Sequence, residues 1–273
     1  MSRAKILLNF YLDASIHVAL AVLSLTLITY SNIGIVLKKE VLYFVFFGTI
    51  WSYNYIKYGV QLRPQQNDNY PYGNIIFFLS IISLIVSAYF FSFLNKNTWL
   101  FVFLLLILVG SYTLPVTNKG QNLRSLGITK VLLVALVWAG TTVVIPILDA
   151  RLQLSWDLGL AMFQRIILVL ILMIPFEIRD LNTDKPNLKT IPQRFGVQKT
   201  KIGGVILVFC YFGSIYLQDA LSNSLMTQKA LVSILLLCVI GATKKKQRKY
   251  FAAFYVEAIP ILWALVVIIS EVN

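Results

Sequence analysis

The sequence predicts an all-α integral membrane protein, a bundle of nine transmembrane helices, and three observations carry that prediction. Of the 273 residues, 58% are hydrophobic and only 13% charged, whereas soluble domains carry about 25% charged residues. The apolar residues fall in stretches close to the roughly 20 residues that a helix needs to cross a hydrocarbon core. Lys and Arg between those stretches alternate from rich to poor, the pattern of loops on the two sides of a bilayer.

In order, the expected spans are residues 14–36, 41–60, 74–94, 98–115, 128–148, 158–176, 202–217, 230–242 and 251–269. The first follows Arg3 and Lys5 and has no small-residue cleavage site after it, so it reads as a span and not as a removable signal. The third follows the Pro-, Asn- and Gln-rich stretch 63–73, and the fourth closes at Pro115. The eighth is short. It is kept because omitting it would carry the basic run 244–249 to the opposite side. The N-terminus and the even-numbered loops hold sixteen Lys and Arg, the odd-numbered loops five (Lys38, Lys39, Lys96, Arg151 and Lys229), and Lys57, Lys130 and Arg165 fall inside spans. The N-terminus and even loops are therefore expected in the cytoplasm and the C-terminus on the other side of the cytoplasmic membrane.

The formal net charge of +13 is thus a topology signal. Nucleic-acid binding would need a soluble basic surface, which this chain lacks. Cys210 and Cys238 fall inside spans and imply neither a disulfide framework nor a zinc site. His17 is the only histidine, which leaves little room for His-based metal clusters or catalytic triads. No linker divides the chain, so residues 1–273 form one membrane domain.

Chemistry is expected between Pro175 and Gly196, the densest patch of charge between apolar runs. Glu177, Asp180 and Asp184 recur at i, i+3 and i+7, which puts them along one helix face. Carboxylates crowded together repel unless they share a cation. Oxygen-rich clusters at the mouth of a bundle suit Mg²⁺ held together with a substrate phosphate. Arg179, Lys185, Lys189 and Arg194 supply phosphate-binding cations in the same patch. The bland alternative is a solvated helix end whose ion pairs contribute little.

Glu-x-x-Asp-x-x-x-Asp followed by Lys-Thr-Ile-Pro-x-Arg-Phe-Gly resembles the second aspartate-rich motif of the UbiA superfamily of intramembrane prenyltransferases. A second segment, Gly110 to Arg124, is similar to that family's Tyr-x-x-x-Lys-type stretch through Tyr112, Pro115, Lys119 and Arg124. The resemblance implies nine helices around a central cavity open to the cytoplasmic side. It also implies Mg²⁺ ions bound to a prenyl diphosphate and transfer of the prenyl group to a lipid-soluble or aromatic acceptor. Glu177, Asp180 and Asp184 would be the metal ligands, Asp180 and Asp184 also catalytic.

The family's first aspartate motif has no counterpart here. Its place holds Asn54 to Leu62, with Tyr55, Tyr58 and Leu62 where acids are expected. Asn54, Lys57 and Gln61 share a face instead. Lys57, a costly residue within a span, is the third candidate catalytic residue, placed to meet the diphosphate directly, with Asn54, Arg63, Lys119, Arg124, Arg179, Lys185 and Lys189 as diphosphate-binding residues around it. Lys57 reaching out to the interface beside an aromatic belt is the competing reading. Elsewhere, His17 reads as a packed polar residue, Glu257 as an interfacial partner of Lys249 or Arg248, and Arg165 as a partner of Asp149 or Asp157. Two functions stay open: prenyl transfer, and non-catalytic binding of an isoprenoid or lipid phosphate in the same fold.

Overall fold

The structure is a computed structural model that describes residues 3–59, 72–114, 127–153, 155–184, 188–219 and 221–272. All secondary structure among them is helical: α1 (Arg3–Asp13), α2 (Ile16–Ile33), α3 (Lys39–Tyr58), α4 (Gly73–Phe91), α5 (Lys96–Thr113), α6 (Ile128–Ala139), α7 (Ile145–Asp149), α8 (Trp156–Asp180), α9 (Ile191–Gly213), α10 (Asn223–Ala242) and α11 (Ile259–Val272). A π-helical turn, Gly140–Val144, joins α6 to α7, and another, Phe251–Val256, leads into α11.

Among the described residues, eight helical segments are long and apolar enough to cross a membrane. The expected second span is α3, 20 residues long, whose four tyrosines, Asn54 and Lys57 dilute its apolar content below that of the eight. The expected short eighth span is a full 20-residue helix, α10. Its first two turns are polar, so hydropathy alone starts it late. The Ser222 side chain, accepting from Leu225 N, caps it at the true start. The expected seventh span likewise begins early. A capping box between Thr190 and Gln193 starts α9 at Ile191, and Gly196, at φ 78°, kinks it before the apolar run.

Side-chain contacts define two ends. At one, Lys38 donates to Phe93 O at 3.0 Å and pairs with Asp149 at 2.7 Å, and Arg151 reaches Asn95. At the other, Lys57 and Tyr58 bind the carbonyls of Leu12 and Asp13, and Lys249 and Tyr250 bind Asn9. The first gathers the loops after α2, α4 and α7 (the odd-loop end). The second gathers the N-terminus and the chain after α3 and α10 (the even-loop end). Helix α3 runs from one to the other.

The outer helices are apolar on the outside. On α4 the buried positions are Gly73, Ile76, Ser80, Ser83 and Ser87, while Ile75, Phe78, Ile82, Ile85 and Tyr89 are more than half exposed. Small and hydroxylated residues turned inward, with large apolar ones outward, suit a lipid solvent and no aqueous one. Helix α2, the segment from α6 to α7 and helix α8 form the centre, each with 61% of its apolar window buried against 17% for α5. This is an all-α integral membrane protein.

Candidate functional site

The expected carboxylate patch lies where α8 ends, and the start of α6 is brought against it. Gly127 makes that approach possible: its φ is +51°, and a Cβ there would stand 2.2 Å from Leu188 O. One turn on, Lys130 is buried within α6 and its ammonium reaches across to α8. Lys130 Nζ lies 2.9 Å from Glu177 Oε1 and 2.9 Å from Asp184 Oδ2. Asp180 turns the other way. Its two oxygens accept from Arg179 Nε at 2.7 Å and Nη2 at 3.1 Å, and the guanidinium sits 5.1 Å from the Phe176 ring centroid.

The i, i+3, i+7 spacing therefore brings two of the three acids together. Helix α8 stops at Asp180, and Asp184 returns toward Glu177 through a turn closed by Asp184 N donating to Asp180 O. Among the described residues, no group of three His, Cys, Asp or Glu side chains could hold a metal ion. The place a shared cation would take is filled by an ammonium of the chain itself. As arranged, these residues do not fit Mg²⁺. One buried oxygen, Glu177 Oε2, accepts no hydrogen bond from the described residues.

The predicted phosphate-facing side of α3 is spent on packing. Asn54 is fully buried: Oδ1 accepts from Ser15 Oγ at 2.7 Å, and Nδ2 donates to Ser80 Oγ at 2.8 Å and to Ala14 O. Ser15 breaks the chain between α1 and α2 at a φ of 60°, so this network locks the elbow between those helices onto α3 and α4. Lys57 Nζ donates to Leu12 O at 3.0 Å and Tyr58 OH to Asp13 O at 2.8 Å, which ties the end of α1 to α3. Lys189, at φ 52°, uses its carbonyl to hold Arg194 Nε at 2.9 Å. Arg63, Gln61, Lys119, Arg124 and Lys185 lie outside the described residues.

A cavity lies beneath the even-loop end. It has a volume of about 190 Å³, its wall includes Tyr53, Tyr112, Trp138, Phe176 and Glu257, and Glu257 is its one charged lining residue among those described. Trp138 Nε1 donates to Tyr53 OH at 2.6 Å. That bridge stands between this cavity and an apolar one of about 320 Å³ that continues toward the odd-loop end past Phe44, Ser87 and Phe91.

Glu257 does not form the expected pair with Lys249, whose ammonium goes to Asn9 Oδ1 at 3.0 Å. Among the described residues no ion pair reaches Glu257. Lys57 near the end of α3 and Arg179 near the end of α8 lie toward the same even-loop end as Glu257. His17 is a packed residue: it meets Tyr11 OH at 2.8 Å and Phe254 O at 2.9 Å. Arg165 pairs with neither Asp149 nor Asp157. Its guanidinium donates to Leu25 O, Thr142 Oγ1 and Thr29 Oγ1, while Asp149 is held by Lys38 and Asn95.

Compared with protein-family models, with curated proteins and with solved structures, the chain matches none.

Proposed function

We propose that this is a divergent UbiA-like intramembrane protein that binds an isoprenoid lipid, with the chain in the two cavities and the polar head at the even-loop mouth. The observation that carries this is the pair of apolar cavities that share Tyr53 and Trp138 in their walls, the one nearer the even-loop end also lined by Glu257. Their volumes fall in the range of ordinary ligand sites, roughly 300–1,000 Å³ when taken together. The reading carries nine membrane crossings, α3 included, since α3 links the same two ends as its neighbours. It also carries a cytoplasmic N-terminus, from the excess of Lys and Arg in the even loops.

The Lys130 ammonium between Glu177 and Asp184 favours binding without a metal over the Mg²⁺-dependent transfer that the sequence motif suggests. Prenyl transfer remains a second reading on one observation: Glu257 is the one carboxylate in an apolar wall among the described residues, placed to stabilise positive charge developing on an allylic carbon. In that case the carbon–oxygen bond breaks, and the diphosphate leaves toward Lys57 and Arg179.

The test uses the full chain in detergent with farnesyl diphosphate and farnesol, each with Mg²⁺ and with EDTA. Both ligands bind in EDTA, and Trp138→Ala, which removes the wall between the cavities, weakens both. Diphosphate release that requires Mg²⁺ would restore the metal-dependent enzyme. No binding of either ligand in any condition would end the isoprenoid reading.

A further inference from the structure

The odd-loop half of the bundle holds a second polar site that the isoprenoid reading does not use. A cavity of about 600 Å³ opens there between α2, α8, α9, α10 and α11. Its inner wall carries Gln164, Arg165, Tyr211 and Lys229, each more than nine-tenths buried.

Helical phase forces both cations inward. The buried face of α10 runs Lys229, Val232, Ser233, Leu236 and Ile240, a stripe at helical spacing, so Lys229 heads the side turned to the core. It cannot snorkel outward into the interface. Instead its Nζ donates to Gln164 Oε1 at 2.5 Å and lies 4.4 Å from the Tyr211 ring centroid and 5.6 Å from that of Trp263. Aromatic faces are how a desolvated ammonium is tolerated. Arg165 makes three donor contacts, all to uncharged oxygens of Leu25, Thr29 and Thr142, which leaves two of its five N–H groups free.

Among the described residues neither cation has a carboxylate partner. Asp157 lines the mouth, two turns from Arg165 along α8, and its Oδ1 accepts from Asp219 N. Two further donors are also unused: Gln164 Nε2 and Tyr211 OH are buried with no hydrogen-bond partner among the described residues. Buried polar groups are almost always satisfied, and charges within a membrane are paired or face a wet cavity. Four neighbouring residues from three helices thus combine positive charge with spare donors, and among the described residues no carboxylate pairs with them.

We infer that this cavity is an anion site that binds a phosphate oxyanion from the odd-loop side, either as the free ion or as the head group of an anionic lipid. The oxyanion would take donors from Arg165, Lys229, Gln164 and Tyr211 and neutralise the buried charge.

The experiment uses the full chain in two arms: titration calorimetry with inorganic phosphate in detergent at constant ionic strength, and nanodiscs of phosphatidylcholine with or without phosphatidylglycerol, read by the lipid retained on transfer to detergent. The wild type binds saturably in at least one arm. Tyr211→Phe, which removes one hydroxyl and keeps the ring under Lys229, weakens that binding about tenfold. Lys229→Met abolishes it and, without ligand, melts above the wild type because an unpaired buried charge is gone. Binding in the phosphate arm assigns a free ion, and binding in the phosphatidylglycerol arm alone assigns a lipid head group. Failure in both arms, or equal binding by wild type, Tyr211→Phe and Lys229→Met, overturns the site. Either result is independent of farnesol binding at the other end.

Discussion

Replacing Lys130 with methionine tests whether an internal ammonium takes the place of a metal at the even-loop end. The side chain of Lys130 is 11% exposed, that of Glu177 4% and that of Asp184 21%. Removing one member of a buried ion pair costs about 3–5 kcal/mol, because the remaining charge is stranded. Asp184 can rehydrate, whereas Glu177 cannot, so the loss belongs near the lower figure, about 3 kcal/mol. Thermal melting of the purified chain should fall by several degrees. Adding Glu177→Gln to Lys130→Met should recover most of the loss, since the stranded charge is then gone. The same substitution opens a place for a divalent cation between two carboxylates. Mg²⁺ should therefore stabilise Lys130→Met and not the wild type, by about 2.7 kcal/mol at a hundredfold excess over its Kd. A Lys130→Met chain that melts with the wild type would refute the reasoning. So would Mg²⁺ stabilising the wild type as strongly as the variant.

Three further outcomes follow from the geometry. Asn54→Ala strands Ser15 and Ser80 at the α1–α2 elbow and should cost about 1–3 kcal/mol in a chemical melt; a neutral result would return Asn54 to the list of ligand-binding candidates. Gly127→Ala meets both a positive φ and a backbone oxygen 2.2 Å from the new Cβ, so it should destabilise more than Gly110→Ala, where nothing lies within 4 Å; equal melting temperatures would contradict the close approach of α6 to the chain before α9. Cys210 and Cys238 are exposed on the outer faces of α9 and α10, so a membrane-impermeant maleimide should leave both unlabelled in intact vesicles and modify both in SDS. Rapid labelling in vesicles would mean that these faces meet water.

The crossing helices were legible because hydropathy is a local property. Where it erred, at the starts of α9 and α10, the signal was a cap: Thr190 with Gln193, and Ser222, are polar devices that an apolar window passes over. The partners of buried charges were far less legible. Sequence spacing sees only the same helix, so Glu257 was matched with Lys249 and Arg165 with nearby acids. Their real surroundings come from helices remote in the chain: α3 and α8 around Glu257, α2 around Arg165. Lys130 could have been noticed as a lysine just inside a span, which must find an acid or a cavity. Lys229 could not, because a late start for α10 put it in a loop. The Tyr53–Trp138 bridge joins residues 85 apart in sequence and leaves no local trace.

The π-helical turn at Gly140–Val144 ties these two ends of the molecule together. Before it, Lys130 is fixed between Glu177 and Asp184; after it, Asp149 is fixed by Lys38 and Asn95. Each residue of an α-helix advances the chain by about 100°, and a π turn is a local departure from that pitch. It acts as a phase adjuster between two anchored ends. Deleting one residue from the turn would rotate one anchor about 100° against the other, so both sets of ion pairs could not be kept. A change of one codon in length here acts as a twist across the whole bundle, while the same change in a loop would be absorbed as slack.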